Sequence, residues 1–370
     1  MKLGWALLFF LMPLLAIGYV SWHLWQMLPL QHTVAKVLVS MLPLVLTVIS
    51  VSRFVVGYDH MPLSRAAIMY EFCTSWLIVL LYIVLSLVAI DLLRLCRLVP
   101  ADIFVGNGRL LAFLTLAIGA LLVYGNIHYH YKYREALTLP ADGKVGKERK
   151  IVLLSDLHLG FHNRAAEFKK WVELINREKA DAVLIAGDII DISVKPLLEE
   201  NTAELFRCIE APVYACLGNH EYFSGNKKAM DFFRDAHIQL LRDTMAVLFD
   251  QVAVVGRDDR SNRHRRSLEE ILNGSGVDQA SARPYTILLD HQPYHLEEAD
   301  SMGIDFQFSG HTHHGQVWPL SWITDAIYED AFGLHRRDHT TYYVTSGIGI
   351  WGGKFRIGTR SEYLVLTLKP

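Results

Sequence analysis

Five short polar motifs follow one another in the second half of the chain, and each comes directly after an apolar run. They are Asp156-Leu157-His158, Gly187-Asp188-Ile189-Ile190-Asp191, Gly218-Asn219-His220-Glu221, Asp290-His291 and Gly310-His311-Thr312-His313-His314. Their carboxylate, amide and imidazole groups suit two divalent metal ions that lie close together. Two such ions can clamp a phosphate group and activate a water molecule between them. The motifs therefore indicate dinuclear metal chemistry on a phosphate.

Each motif taken alone has an ordinary structural explanation. The Asp-x-His spacing that begins at Asp156 occurs often by chance, and Gly187-Asp188 could be a turn after a strand. Gly218-Asn219 could cap a helix, and a lone histidine such as His291 is more often packed than bound to a metal. Five such motifs in series, all at the ends of predicted strands, are very hard to obtain by chance, so we interpret them together.

The apolar runs before the motifs predict the elements that position them. Short buried strands are predicted at residues 151–154, 182–186, 213–217, 286–289 and 306–308, and amphipathic helices at 165–179 and 197–209. Strands that alternate with helices, followed by a strand-rich half, indicate a layered α/β domain. Open α/β sheets bind their ligands at the carboxyl ends of strands, which is where the motifs are expected to lie.

The order of the motifs resembles that of the calcineurin-like metallophosphoesterase family, whose pattern is D-x-H, G-D-x-x-D, G-N-H-D/E, H and G-H-x-H. The resemblance covers roughly residues 150–370. The wider context, including Gly315-Gln316 and Ser346-Gly347, is similar to the bacterial membrane-associated branch of phosphodiesterases and lipid A precursor pyrophosphatases. The resemblance implies an α/β fold that forms a four-layer αββα sandwich.

The resemblance also implies seven metal ligands and one catalytic histidine. The ligand sets are Asp156, His158 and His313 for one ion, Asn219, His291 and His311 for the other, and Asp188 as the bridge. A hydroxide shared by the two ions would attack phosphorus in line. His220 would stabilise the transition state or protonate the leaving oxygen. Asp191 and Glu221 would orient the ligands or His220.

One position departs from the family pattern, and the pattern does not specify the metal. The branch usually has glycine after the second histidine of the last motif, where this chain has His314. An imidazole there could line the substrate pocket or hydrogen-bond a ligand, or it could be a loop substitution that points to solvent. Asp, His and Asn ligands without a thiolate fit two ions of Mn, Fe or Zn, of which we expect Mn.

The first half of the chain is apolar enough to predict a transmembrane region. Four runs reach the roughly 20 residues that a helix needs to cross a bilayer, and they cover residues 3–28, 33–56, 66–90 and 110–131. The first run could instead be a cleaved signal peptide, but it is long and lacks an A-x-A-like cleavage site. We therefore predict four α-helical spans within residues 1–140, a polar linker at 141–150 and the metallophosphoesterase domain at 151–370.

Basic residues and tyrosines predict how this region is placed. On the side that four spans assign to the soluble half, the flanking segments carry nine Lys and Arg residues, against four on the other side. This bias predicts a multi-pass protein of the inner membrane with its catalytic domain on the cytoplasmic face. Tyr124, Tyr129, Tyr131 and Tyr133 are expected in the aromatic belt at the membrane interface.

Several further residues could contact the substrate or the membrane. The basic segment 257–266 could bind anionic lipid head groups or be a solvated loop. His162 and Arg164 could reach the metal site, and Ser346 and Arg356 are possible substrate contacts. Three tryptophans near the last motifs could form an apolar edge for an acyl chain or belong to the core, namely Trp318, Trp322 and Trp351.

These observations favour a membrane-anchored enzyme that hydrolyses a phosphoester or pyrophosphate bond of a phospholipid or lipid-linked head group. The alternatives are a phosphodiesterase for nucleotides or other small soluble phosphoesters, and a non-catalytic metal-binding scaffold or sensor. A transport role is disfavoured because no span carries a convincing buried charge pair, although Lys36 and Asp91 lie near span ends. The net charge of −2 argues against a nucleic-acid partner, and four scattered cysteines indicate neither a disulfide framework nor a zinc ribbon.

Overall fold

The computed structural model describes residues 2–275 and 283–370 of the chain. Contacts within the chain divide it into two compact units, Met1–Asn126 and Ile127–Pro370. The first unit is helical, and the second contains two β-sheets together with short helices.

The first unit consists of apolar helices. Their bounds are α1 Lys2–Met27, α2 Thr33–Ser40, α3 Leu42–Val56, α4 Leu63–Leu95 and α5 Gly108–His130, which continues into the second unit. Among the described residues, three stretches are long and apolar enough to cross a membrane, and they are Thr33–Val56, Leu63–Leu95 and Gly108–His130. Three of the four predicted apolar segments are thereby confirmed. The first predicted span coincides with α1, whose side chains before residue 15 lie outside the described part, so a fourth span stays a prediction.

Polar side chains from two helices of this unit meet around Asp91. His23 Nε2 lies 2.9 Å from the Asp91 carboxylate, and Tyr19 and Arg94 each contact that carboxylate at 2.6 Å. The His23 side chain is buried, and its ring centroid lies 4.3 Å from that of Phe104. The Asp91 and Arg94 side chains are each 31% exposed, so the cluster is consistent with the expectation that no span carries a convincing buried charge pair.

The second unit alternates strands and helices. Its strands are β1 Lys132–Pro140, β2 Arg149–Leu154, β3 Ala182–Ala186, β4 Val213–Cys216, β5 Gln239–Leu240, β6 Thr244–Leu248, β7 Val252–Gly256, β8 Tyr285–Leu289, β9 Phe306–Ser309, β10 Gly333–Arg337, β11 Thr340–Val344 and β12 Ser361–Lys369. Its helices are α6 Ala165–Arg177, α7 Lys195–Glu199, α8 Thr202–Arg207, α9 Asn219–Phe223, α10 Asn226–Asp235, α11 Leu268–Ser275, α12 Leu296–Ser301 and α13 Leu320–Ile327. The predicted helix 197–209 is divided into α7 and α8, because Asn201 between them adopts a left-handed conformation with φ of 51°.

The strands form two six-stranded mixed sheets. The first sheet has the order β1-β12-β2-β3-β4-β5, and the second has the order β10-β11-β9-β8-β7-β6. Strands β2 to β5 run parallel in the first sheet, as do β7, β8, β9 and β11 in the second. The predicted α/β domain is therefore confirmed.

Strands β2, β3 and β4 of the first sheet are largely buried on both faces, which explains why they appear as continuous apolar runs in the sequence. In β2, Ile151 and Leu153 belong to a core that also contains Ile287 of the second sheet. Val152 and Leu154 belong to a different core, which includes apolar residues of α6. A third core joins strands of the second sheet to α11 and α12. Each sheet is thus packed against helices as well as sharing a core with the other sheet.

The second unit begins earlier than the predicted domain boundary. Strand β1, Lys132–Pro140, pairs in parallel with β12, and the division between the two units falls after Asn126. Only Tyr131 separates the end of α5 from the start of β1. Half-buried and exposed side chains alternate along much of this edge strand. An edge strand of this kind needs no continuous apolar run, so the sequence pattern did not reveal it.

Replacing Asp330, between α13 and β10, by asparagine is expected to stabilise the protein at alkaline pH. Asp330 is buried, its Oδ2 has no hydrogen-bond partner among the described residues, and burial raises the pKa of this carboxyl from 3.8 to about 6. Because the pKa of Asp330 is higher in the folded protein than in the unfolded chain, protonation of this carboxyl stabilises the fold. This stabilisation is complete below pH 4 and is lost as the pH rises through 6. At pH 8 the Asp330→Asn variant should gain about 1–2 kcal/mol in the free energy of unfolding, allowing for partial solvent screening.

Thermal unfolding of the two proteins at pH 4 and pH 8 tests this expectation. The gain in Tm should be present at pH 8 and absent at pH 4. An equal gain at both pH values would contradict the ionisation argument.

Candidate metal centre

The polar motifs meet because the strands before them end at the same edge of the sheets. The motifs follow β2, β3 and β4 in one sheet and β8 and β9 in the other, and neighbouring strands in each group run parallel. The chain turns sharply there, since Asp156, His158 and Asp188 have φ values of 55°, 44° and 51°. Gly187 has φ of 76°, and a Cβ at this position would lie 2.6 Å from Gly218 N. Backbone strain of this kind is concentrated at functional sites.

The first predicted ligand set, Asp156, His158 and His313, is assembled in the structure. His158 Nε2 lies 3.1 Å from His313 Nε2 and 3.7 Å from Asp156 Oδ1. His313 Nε2 lies 3.5 Å from the same carboxylate oxygen. Two imidazole nitrogens that face each other beside a carboxylate form a donor set that a divalent cation would stabilise.

The second predicted set, Asn219, His291 and His311, is assembled beside it. Asn219 Oδ1 lies 3.2 Å from His291 Nε2 and 2.9 Å from His311 Nδ1. His291 Nδ1 lies 2.8 Å from the backbone oxygen of Ala186. This contact requires the proton on Nδ1, so Nε2 keeps its lone pair for a metal.

Asp188, the predicted bridge, lies between the two sets. Its Oδ2 is 3.6 Å from His158 Nε2 and 3.2 Å from His291 Nε2. Its Oδ1 accepts a hydrogen bond of 2.9 Å from the backbone N–H of His220. All seven predicted ligands are therefore brought together, and their buried oxygen and nitrogen donors fit two divalent ions.

Burial and neighbouring charged groups shift the pKa values of several residues in the site. Burial raises the pKa of Asp156, but His313 and the hydrogen bond to His158 outweigh burial and hold this pKa below its usual value. Burial lowers the pKa of His158, yet its contacts with Asp156 and Asp191 dominate and raise it to about 10. Burial lowers the pKa of His313 to about 3. A metal ion bound by His158 as predicted would have to displace a proton, so metal binding there would weaken as the pH falls.

His220, the predicted catalytic residue, is held beside the ligands by Asp191. Asp191 Oδ1 lies 3.2 Å from His220 Nδ1 and 3.4 Å from His158 Nδ1. The ring centroids of His220 and His158 are 4.5 Å apart, and the His220 side chain is 11% exposed. A carboxylate at Nδ1 keeps the proton there and leaves Nε2 as the nitrogen available to a substrate.

Glu221 orients the loops rather than the metal ligands' side chains. Its carboxylate accepts hydrogen bonds from the backbone N–H groups of Asp188 at 3.1 Å, Ile190 at 3.0 Å and Gly218 at 2.7 Å. Burial and the charge of Asp188 raise the pKa of Glu221 to about 7. Glu221 thus ties together the turns that carry the second and third motifs.

The structure corrects the expectation that Arg356 and Ser346 contact the substrate. Arg356 is fully buried and donates to the backbone oxygens of His313 at 2.8 Å, Ser346 at 2.5 Å and Gly349 at 3.1 Å. The Ser346 hydroxyl donates to the backbone oxygen of Arg360. Arg356 therefore holds the last ligand motif against the loop after β11, a role that no local sequence signal indicates.

The basic segment 257–266 is mainly bound to the protein itself. Arg257 and Arg265 contact the Asp290 carboxylate at 3.3 and 3.1 Å, next to the ligand His291. Among the other candidate contacts, His162 is buried with Nε2 2.7 Å from the backbone oxygen of Ile350, and Arg164 pairs with Glu200. The solvated-loop interpretation holds for the exposed residues Ser261, Arg263, His264 and Arg266.

His314 neither points freely into solvent nor belongs to the ligand sets. Its ring stacks on Phe332 with centroids 4.5 Å apart and an angle of 7° between planes. Its Nε2 lies 3.3 Å from Asp325 of α13, and its backbone has φ of 48°. Glycine adopts this left-handed conformation freely, and stacking on Phe332 offsets the strain of a side chain here.

Known proteins match this chain in the same region. A family model described as calcineurin-like phosphoesterase matches residues 149–315. An uncharacterized metallophosphoesterase of Campylobacter jejuni is 30% identical over 264 residues, which cover 69% of this chain and 68% of that protein. A transmembrane protein with metallophosphoesterase domain from Danio rerio is 31% identical over 238 residues, which cover 60% of this chain and 53% of that protein.

Among solved structures, a 5'-nucleotidase precursor from Thermus thermophilus is 13% identical and superposes with a TM-score of 0.38. That match covers 60% of this chain and 55% of the other. The chain spans 68% and 53% of the lengths of the two curated relatives. With the assembled ligand sets and these relatives, the chain belongs to the calcineurin-like phosphoesterase family and is a metal-dependent phosphoester hydrolase.

Proposed function

We propose that this protein is a membrane-anchored enzyme that hydrolyses a phosphoester or pyrophosphate bond in a phospholipid or lipid-linked head group. The observation that carries the proposal is a set of exposed large apolar side chains that closely follow the site motifs along the chain, which we call the apolar rim. The rim consists of Phe223, Trp318, Trp322, Ile323 and Trp351. The described part of the chain also contains three helical stretches long and apolar enough to cross a membrane.

The rim follows the site residues directly along the chain. The Phe223 ring lies 5.2 Å from the His220 ring and is 63% exposed. Trp318 and Trp322 come shortly after His313, their ring centroids are 5.4 Å apart, and they are 44% and 64% exposed. The alternative that these tryptophans belong to the core is therefore wrong. Tryptophan favours the boundary between water and lipid, so these side chains suit a substrate that lies in a membrane.

We assign different roles in hydrolysis to the residues of the site. The seven ligands would hold two divalent ions, for which we propose Mn, and bound ions of this kind activate water and neutralise phosphate oxygens. His220 would donate a proton to the leaving oxygen, because Asp191 holds its other nitrogen. Glu221 and Arg356 would keep the turns that carry Asp188 and His313 in place.

Replacing Trp322 by glutamine is expected to weaken the use of lipid substrates alone. Loss of one large apolar contact with lipid should lower kcat/KM for a phosphorylated lipid in mixed micelles by about tenfold. Hydrolysis of the soluble diester bis(p-nitrophenyl) phosphate should stay unchanged. The matched control is Leu198→Gln, which removes an apolar side chain that is 56% exposed on α7.

A panel of substrates with purified, Mn-supplemented full-length protein tests the proposal as a whole. Phosphorylated lipids should be preferred over soluble monoesters, diesters and nucleotides. Preference for soluble diesters with no effect of Trp322→Gln would refute the lipid substrate. A fully metal-loaded protein that hydrolyses none of these compounds would instead support the non-catalytic scaffold or sensor.

One observation favours a second candidate, a phosphodiesterase for nucleotides. The Tyr328 ring lies 6.2 Å from the ring of the ligand His311 and 4.8 Å from the Tyr294 ring. A pair of aromatic rings beside a phosphate site can stack a base. If this candidate is correct, Tyr328→Leu should raise KM for nucleotide diesters and leave lipid hydrolysis unchanged.

The placement of the enzyme and the finer fold description complete the proposal. We infer a multi-pass location in the inner membrane with the catalytic domain on the cytoplasmic face, from the distribution of basic residues around the spans. A reporter enzyme that functions only in the cytoplasm should then be active when it is fused to the C-terminus, and one that functions only in the periplasm should be inactive. The three cores of the second unit support a four-layer αββα order.

A further inference from the structure

The last turn of α5 is built into the metallophosphoesterase unit. Tyr129 was expected in the aromatic belt at the membrane interface, but its side chain is fully buried. Tyr131, two residues later, is 63% exposed, as the belt requires. Tyr129 belongs both to the candidate span Gly108–His130 and to the unit Ile127–Pro370. Its position therefore serves the catalytic unit rather than the membrane interface.

The Tyr129 hydroxyl is held between two acceptors. It lies 2.7 Å from Asn163 Oδ1 and 2.8 Å from Glu167 Oε1, so its single proton is shared between them. The other Glu167 oxygen accepts a hydrogen bond of 2.7 Å from Lys354 Nζ. Charged partners make such hydrogen bonds stronger than neutral ones. The ring is also covered by Lys132 Nζ, 3.7 Å from its centroid.

Asn163 connects the Tyr129 hydroxyl to the first ligand motif. Asn163 is buried, and its Nδ2 donates to the backbone oxygens of Leu157 at 3.1 Å and Ile350 at 3.2 Å. Leu157 is the residue between the ligands Asp156 and His158. One amide side chain therefore clamps the backbone between two metal ligands.

The loop that contains Ile350 is attached to the same motif from its other side. The backbone N–H of Gly349 donates to the backbone oxygen of Asp156 at 3.0 Å, and that of Ile348 donates to the backbone oxygen of Ser155 at 3.2 Å. A Cβ at Gly349 would lie 2.2 Å from the Leu157 oxygen, so the two segments touch. A shift of Asn163 would therefore move both segments and, with them, the Asp156 and His158 side chains.

We propose that Tyr129 is a positioning residue for the metal centre, acting through Asn163 on the peptide between Asp156 and His158. The end of a helix that is apolar enough to cross a membrane would thus set the geometry of the first ligand set. The inference rests on the metal centre and is independent of the substrate. Residues that orient metal ligands typically change metal affinity by about 10- to 100-fold when they are replaced.

The Tyr129→Phe variant of the full-length protein tests this role by Mn²⁺ binding in equilibrium dialysis. Loss of the hydroxyl should weaken Mn²⁺ binding by roughly three- to tenfold, less than direct loss of an orienting group. At saturating Mn²⁺, KM for bis(p-nitrophenyl) phosphate should be unchanged. Tyr131→Phe is the matched control, because it removes an exposed hydroxyl two residues away.

The Asn163→Leu variant completes a double-mutant cycle. Asn163→Leu should weaken Mn²⁺ binding by at least about tenfold, and adding Tyr129→Phe should weaken it no further, because the tyrosine acts through Asn163. If Tyr129→Phe does not yield folded protein, Asn163→Leu alone carries the test. Unchanged Mn²⁺ affinity in the folded variants, with only a lower Tm, would overturn the proposal and leave Tyr129 a purely structural role. Additive losses in the double variant would also overturn it.

Discussion

Replacing Asp188 by asparagine is expected to abolish metal-dependent hydrolysis. Among the seven predicted ligands, Asp188 is the one whose carboxylate approaches both His158 and His291, at 3.6 and 3.2 Å. An amide has one oxygen and no charge to share between two ions, so at least one ion should be lost. We expect kcat/KM for bis(p-nitrophenyl) phosphate to fall at least about a thousandfold, which corresponds to about 4 kcal/mol in the barrier.

Metal content measured by mass spectrometry should fall with the activity of this variant. Asp235→Asn provides the control, since Asp235 is an exposed carboxylate at the end of α10. The Asp188→Asn backbone should remain folded, because an amide oxygen can still accept the hydrogen bond from His220 N–H. A variant that kept two ions and full activity would contradict the bridging role.

Replacing His220 by alanine is expected to remove proton transfer while the metals stay bound. His220 is held by Asp191 at 3.2 Å and packs at right angles to the ligand His158. General acid catalysis by a positioned histidine contributes about 10²- to 10⁴-fold, so kcat should fall within that range. Metal content should remain that of the unmodified protein, in contrast to Asp188→Asn.

The leaving group distinguishes this role of His220 from simple structural damage. A p-nitrophenolate group leaves without a proton, so esters of p-nitrophenol should lose less rate in His220→Ala than alkyl esters do. His237→Ala is the matched control, because His237 is an exposed histidine of the same unit. Equal losses on both kinds of ester would argue that His220 stabilises charge in the transition state instead of protonating the leaving oxygen.

The strands that carry the site were predictable because they are buried on both faces. The strand at residues 182–186 has in the structure the bounds that its apolar run predicted, and every one of its residues is buried. Strand β1 was not predictable, since an edge strand with half-buried and exposed positions resembles a polar linker.

The membrane-facing features were only partly predictable. Hydropathy identified three of the apolar helices, because length and composition suffice for that purpose. Hydropathy could not tell that Trp322 is exposed whereas Tyr129 is buried, because both are aromatic residues near an apolar run. Their exposure, 64% and 0%, depends on what the rest of the unit packs against them.

The sequence by itself determined the chemistry of this protein. Predicted ligands such as Asp156, His158 and Asn219 belong to short motifs at strand ends, and such motifs can be recognised without knowledge of the fold. Only the tertiary structure decided which groups hold those ligands in place. Tyr129 is 34 residues from Asn163, and Arg356 is 43 residues from His313. A buried polar group takes whichever partner the packing of distant segments brings to it, so its role becomes visible only in the folded chain.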